Sequence, residues 1–163
     1  MNLKSLKSTA YSSDIKNKVK QAVDLANAQT NPVVLSHAVH IDAVDLLPIL
    51  THPADRHATR IYLERPSQGF AMAAMGNIIT IDYHNGIDSL LDKMKKIRSN
   101  MVYDSGTVCP KPSFLGGHAF NPNAESDETW KSFPRGRLVL PECLATRNDN
   151  GSWMTISTIV HAG

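Results

Sequence analysis

Apolar residues recur every three or four positions between residues 13 and 28, which predicts an amphipathic helix. Its apolar stripe consists of Ile15, Val19, Ala22, Val23 and Ala26. Ser13 or Asp14 is placed to cap the start of this helix, and Asn31-Pro32 to end it. Residues 1–12 precede the pattern, and we predict that they form a mobile tail.

Shorter apolar runs follow and predict strands. The first is Val33–Ile41, after which Asp42 or Asp45 is placed to cap a short helix that ends near Leu50. Pro48 is tolerated only in the first turn of that helix.

Three further runs, 61–65, 69–75 and 78–83, predict an antiparallel meander. Residues 66–68 and Gly76-Asn77 separate these runs, and the second separator suits a two-residue hairpin loop.

The pattern then returns to helical spacing. The predicted buried stripe of this second long helix is Ile87, Leu90, Leu91, Met94, Ile97 and Met101. Its solvent-exposed face carries Asp88, Asp92, Lys93, Lys95, Lys96 and Arg98. A basic cluster on such a face indicates solvation rather than a phosphate or partner site.

Two strands, 137–146 and 152–160, close the pattern. Between them Asn148-Asp149-Asn150-Gly151 resembles the start of a calcium loop but lacks the later bidentate glutamate. Asn150-Gly151 therefore predicts a type I′ hairpin turn. Strands and hairpins mixed with two substantial helices predict an α+β fold with a mainly antiparallel sheet, in one domain over 1–163.

Composition narrows the class of protein. The chain has 163 residues, of which 42% are hydrophobic and 20% charged, with a net charge of +2. These values fit a globular protein without a nucleic-acid surface, and no apolar run approaches the ~18 residues of a membrane span. Cys109 and Cys143 form no CxxC pair, which argues against a disulfide framework and a zinc site. The expected location is the cytoplasm.

Motifs for a self-contained active site are missing: the chain has no phosphate loop, GxGxxG, GxSxG or HExxH. His37 and His40 form an HxxH whose rings point to opposite faces of a strand, so we expect one surface and one hydrogen-bonded histidine. His118, beside Gly116-Gly117, is the better candidate for a cleft, although a lone histidine more often has a structural role.

Lysines and carboxylates give no acid–base pair either. The lysines lie in the polar amino-terminal segment, on the solvent-exposed face of the second long helix or in loops. They are Lys4, Lys7, Lys16, Lys18, Lys20, Lys93, Lys95, Lys96, Lys111 and Lys131. None lies in an apolar strand, where burial would lower its pKa. Glu64 and Glu142 alone have strand-like apolar surroundings. We expect Glu64 to pair with Arg65 or Arg60, and Glu142 to lie near a strand bend after Pro141.

An ordered set of segments resembles the amino-terminal part of isochorismate synthases. Residues 60–66 (RIYLERP) and 68–76 (QGFAMAAMG) are similar to an early strand pair, and 114–120 (FLGGHAF) to a double-glycine strand. Trp130, Phe133-Pro134, 137–141 (RLVLP) and Trp153 follow in the family's order. The match spans about 33–160. For most of the aromatic residues the prediction is core packing.

The resemblance implies a Mg²⁺-dependent isomerisation of chorismate to isochorismate, which serves quinone, siderophore or salicylate synthesis. In that family a lysine activates water, a glutamate acts as general acid and further carboxylates bind magnesium. The lysine lies in a lysine-valine-valine strand, and none of these groups matches a residue here. The expectation is therefore an incomplete domain without catalytic, cofactor-binding or metal-binding residues of its own, inactive alone and completed by a carboxy-terminal catalytic half.

Related alternatives stay open. Residues 62–66 (YLERP) lack the leucine-leucine-glutamate-serine element of anthranilate and aminodeoxychorismate synthases, but a salicylate synthase remains compatible. A different class is a stand-alone, non-catalytic binding or assembly module. In either case we expect exposed apolar sheet surface and self-association, with no nucleic-acid or membrane partner.

Overall fold

The computed structural model describes residues 3–42, 45–51, 59–83, 87–105, 110–121 and 128–163. The helices are α1 (Leu3–Gln29), α2 (Leu47–Thr51) and α3 (Ile87–Arg98). The strands are β1 (Val33–Ile41), β2 (Arg60–Arg65), β3 (Phe70–Met75), β4 (Ile79–Tyr83), β5 (Met101–Val102), β6 (Leu115–His118), β7 (Gly136–Leu140), β8 (Cys143–Asn148) and β9 (Gly151–Val160). Within these ranges, no helix is both long and apolar enough to cross a bilayer.

Six strands form the larger sheet, in the order β2-β3-β8-β9-β1-β5. All neighbours are antiparallel except β1 and β5. The long pairing of β1 with β9 runs from Val33 opposite Val160 to Ile41 opposite Ser152. Buried hydroxyls reinforce this pairing, because Ser36 Oγ and Ser157 Oγ lie 2.8 Å apart. The predicted first strand is confirmed.

The smaller sheet has the order β4-β7-β6, which corrects the predicted meander. β2 and β3 do pair, but β4 pairs with β7 instead of β3. The Gly76 amide donates to the Thr59 carbonyl and the Ile78 amide to the Leu140 carbonyl. The first bond extends the pairing of β2 with β3, and the second begins the pairing of β4 with β7, so Gly76-Asn77 is not a hairpin loop.

The predicted strand 137–146 is also divided between the sheets. It breaks at Pro141-Glu142, between β7 in the smaller sheet and β8 in the larger one. Proline supplies no amide hydrogen for a ladder, which explains why the pairing ends there. Exposed Glu142 occupies the bend, as predicted.

α1 packs on one face of the larger sheet. Its buried alanines Ala22 and Ala26 contact a cluster that includes Val33 and Leu35, and their small side chains allow a close approach. Val19 and Val23, which belong to the predicted stripe, are exposed. The helix begins ten residues before the predicted start, so much of residues 1–12 is helical, while the mobility of this segment stays a prediction.

α2 covers a second cluster on the same sheet. Buried Leu46 precedes the helix and packs with Ala71, Ala73 and Ala145. The Asp45 carboxylate accepts the Leu47 amide hydrogen at 3.1 Å, which confirms the predicted cap at the start of this helix.

α3 packs against the smaller sheet through part of its predicted stripe. Leu90 is buried against Ile81, and Met94 and Ile97 lie beside them. Leu91 is exposed, and Met101 belongs to β5 instead of the helix. The side chain of Ile87 lies outside the described residues.

A hairpin joins β8 to β9, as predicted, but its turn is not type I′. Asn148 lies opposite Gly151, so Asp149 and Asn150 form the loop. A type I′ turn needs a positive φ at both loop residues. Throughout the described ranges Thr30 is the only non-glycine residue with a positive φ. Instead, Asn148 Oδ1 accepts the Asn150 amide at 2.8 Å, which is an Asx-type turn.

Candidate functional site

A cleft of about 710 Å³ opens where β2 of the larger sheet approaches the smaller sheet. Three parts of the chain form its walls: Thr59 and Ile61 at β2, residues from 115 to 121 around β6, and residues from 130 to 139 leading into β7. This volume lies within the range of small-molecule sites. The described lining is mostly apolar or basic, with Thr59 and Asn121 as neutral polar residues, and contains no aspartate or glutamate.

The register of β6 and β7 places four of the lining residues on one face of the smaller sheet. Leu115 pairs with Val139 and Gly117 with Arg137. Since directly opposed and alternate strand residues share a face, these four residues form one surface, and all of them line the cleft.

Gly116 permits the close approach of β6 to β7. A Cβ at this residue would lie 1.9 Å from the Arg137 carbonyl oxygen, and its φ is +156°. The fold therefore requires a glycine here. The first glycine of the double glycine is thus explained by the close approach of two strands.

Basic side chains surround the same surface. Arg137 donates from Nε and Nη2 to the two Asp82 carboxylate oxygens at 2.6 and 2.8 Å, so its guanidinium is held in place. His118 lines the cleft as expected, and its Nδ1 lies 2.9 Å from the Ala119 carbonyl oxygen. Nδ1 carries the proton in this contact, which leaves Nε2 for a ligand. Arg135 is a further lining residue, which the sequence prediction missed although it precedes a predicted strand.

Trp130 and Phe133 form an aromatic wall. Their ring centroids lie 5.5 Å apart, and the residues are 60% and 61% exposed. The predicted core packing is therefore wrong for these two. Trp153 fits it better, since it is half-buried and its ring meets His40 edge-on at 5.2 Å.

A second cluster of polar side chains lies between α1, β1 and the segment after β5. Lys18 Nζ is 2.8 Å from Asp104 Oδ1 and also contacts Asp14. Asp104 Oδ2 accepts the Ala38 amide at 2.7 Å and lies 3.2 Å from His37 Nδ1. His37 is thus the hydrogen-bonded histidine of the HxxH, and exposed His40 is the other.

Lys18 and Asp104 are both charged and form a structural ion pair. Burial alone would lower the pKa of Lys18, but hydrogen bonds to Asp104 and Asp14 outweigh it and raise the pKa above its ordinary value. Burial would likewise raise the pKa of Asp104, but bonds from Lys18 and the Ala38 amide hold it below the usual range. Lys18 therefore stays protonated near neutral pH and does not act as a general base.

The magnesium implied by the resemblance does not fit this cluster. Asp14, His37 and Asp104 place ligand atoms within 4.8 Å of one another, but the Lys18 ammonium already lies between the carboxylates. Magnesium also prefers oxygen ligands to an imidazole. No chemical step is therefore assigned to a metal at these residues.

The remaining predicted residues lie away from the cleft. Glu64 contacts Arg147 at 3.4 Å and accepts from the Tyr62 hydroxyl at 3.0 Å, so the predicted pairing with Arg65 or Arg60 is not the pairing found. The Cys143 thiol is free, and burial raises its pKa, which disfavours the thiolate. Cys109 lies outside the described residues.

Comparison with known proteins supplies the family. Among curated proteins, no sequence matches the chain significantly. The family described as Chorismate binding enzyme matches residues 17–163, which include the double glycine, the aromatic wall and every described strand. A match over nearly the whole length shows membership, and we conclude that this chain belongs to the chorismate binding enzyme family.

Proposed function

We propose that the chain takes part in the isomerisation of chorismate to isochorismate and that its cleft binds the substrate. The observation that carries this proposal is the lining of the cleft, where Arg135, Arg137 and His118 accompany Trp130 and Phe133. The described lining itself contains no carboxylate, although Asp82 pairs with Arg137. Chorismate carries one carboxylate on its ring and a second on its enolpyruvyl side chain. Guanidinium groups suit carboxylates, and aromatic faces suit a ring.

The chemistry of water attack and hydroxyl departure needs a positioned base and acid. The described cleft offers neither a carboxyl group nor a lysine, and Lys18 is protonated in an ion pair elsewhere. We therefore propose that the catalytic lysine, the acidic glutamate and the magnesium ligands come from outside these residues. We also propose that the domain has an anthranilate synthase-like fold and that the protein is located in the cytoplasm.

An activity assay tests whether this chain binds the substrate while the catalytic groups come from other residues. We expect the 163-residue chain to form no isochorismate from chorismate with magnesium, while calorimetry detects chorismate binding. A longer product of the same reading frame, where one exists, is expected to be active. Magnesium-dependent turnover by the 163-residue chain would contradict the proposal, because its described cleft holds no acid or base for the reaction.

A salicylate synthase would begin with the same isomerisation, and the assay separates the two by the appearance of salicylate. The alternative from another class is a non-catalytic binding or assembly module. Chorismate binding without turnover in any longer product would favour that module.

Self-association follows from the exposed apolar residues. Phe120, Trp130 and Phe133 are well exposed around the cleft, and exposed Leu63 and Ile156 lie on the larger sheet. Exposed apolar patches favour association. We expect sedimentation to show concentration-dependent oligomers, reduced in a Trp130→Ser, Phe133→Ser variant. A monomer at every concentration would refute this expectation.

A further inference from the structure

Gly117 is a glycine that the fold itself does not explain. A Cβ at this residue would meet nothing within 4 Å, and its φ lies outside the left-handed region. Both properties contrast with those of its neighbour Gly116, where a Cβ would collide with the β7 backbone. Neither space within the protein nor backbone conformation therefore excludes a side chain at 117.

The position of Gly117 supplies a reason. It lies in β6, at an edge of the smaller sheet, and is exposed to the cleft. Leu115, two residues earlier, and Arg137, directly opposite, share its face and line the same cleft. A side chain at 117 would project into the cleft beside the guanidinium that Asp82 holds.

Glycine in a strand often marks a place where a ligand approaches the backbone closely. We propose that a ring dicarboxylate lies directly on the bare backbone of Gly117, with a carboxylate toward the Arg137 side and its ring toward the aromatic wall of Trp130 and Phe133. Gly117 is thus a determinant of ligand size. The choice of ring dicarboxylate rests on the proposed function.

The test compares Gly117→Ala with Gly163→Ala. Gly163 is a matched control because a Cβ there also meets nothing within 4 Å, and Gly163 does not line the cleft. Two probes are titrated by calorimetry: chorismate, and isophthalate as a rigid ring dicarboxylate that cannot isomerise. We expect Gly117→Ala to weaken binding at least tenfold and Gly163→Ala to leave it unchanged. The thermal unfolding midpoint of both variants should match that of the parent.

A measurement on the unmodified chain accompanies the variants, namely the shift of the Gly117 amide resonance during each titration. A shift that saturates with binding is expected. If isophthalate binds in a Gly117-dependent way and chorismate does not bind, the inference stands and the proposed function fails. If chorismate binds equally to both variants with no Gly117 shift, the proposed binding stands and the inference falls. Failure of both probes to bind the parent overturns the inference as well.

Discussion

Replacing Gly116 with alanine will lower the free energy of unfolding by about 4 kcal/mol or more, among the largest effects of a single substitution. The added Cβ would lie 1.9 Å from the Arg137 carbonyl oxygen and 2.9 Å from its carbon. Both are backbone atoms, so no side-chain rotation relieves the overlap, and β6 would have to separate from β7. Urea denaturation monitored by circular dichroism measures the loss.

Gly117→Ala is the control for this result, because it makes the same chemical change one residue later in open space. Its effect on stability should stay within about 0.5 kcal/mol, as for most exposed substitutions. Equal stabilities of the two variants would mean that β6 does not approach β7 as described.

Replacing Asp104 with alanine is expected to cost about 3 kcal/mol, the second large effect. The change leaves the Ala38 amide without its acceptor and removes the more buried of the two carboxylates that contact the Lys18 ammonium. The Lys18 and Asp104 side chains are only 13% and 15% exposed, so solvent replaces little of the lost interaction. Removing one partner of a buried pair typically costs about 3–5 kcal/mol. Chemical denaturation at pH 7 measures the loss.

The exposed pair of Lys95 and Asp92 provides the control, since both side chains are more than three-quarters exposed. Asp92→Ala should change stability by less than about 1 kcal/mol, because surface pairs contribute little. An equal loss in both variants would contradict a special role for Asp104.

The pH dependence of the Asp104 effect has a defined sign. The folded-state pKa of Asp104 is lowered, so its stabilising contribution is present above the unfolded value near 4 and is lost as pH falls through the folded pKa. The pKa of Lys18 is raised in the folded state, so its stabilising contribution is present below the unfolded value of about 10.4 and is lost as pH rises through the folded pKa. The difference between the parent and Asp104→Ala should therefore narrow toward pH 2.

Local sequence patterns correctly predicted the elements that can be recognised without knowing which strand pairs with which. The apolar run 33–41 predicted β1 with the observed bounds, and Asn148–Gly151 indicated the last hairpin. They failed at β4, because the run 79–83 suits a strand in either sheet. Its pairing with β7 depends on amide bonds to residues far along the chain.

The candidate site was predictable in part for the same reason. The Gly116-Gly117-His118 sequence was visible as an unusual local feature, and all three residues line the cleft. Trp130 also lines the cleft, although core packing was predicted for it. Lys18 looked like an ordinary solvated helix residue, since Asp104 reaches it only through the fold. A pattern along the chain carries no signal for such a distant ion pair.

The pairing of β1 with β9 has a consequence for how the chain folds. Ser36 and Ser157 bond across 121 positions, and β9 lies inside the larger sheet between β8 and β1. During synthesis β1 emerges well before its long antiparallel neighbour β9, since Ser157 follows Ser36 by 121 positions. Contacts this distant in sequence slow folding. The larger sheet therefore closes only after residue 160 has left the ribosome, and until then β1 presents an unpaired edge that a chaperone or another nascent chain is free to bind.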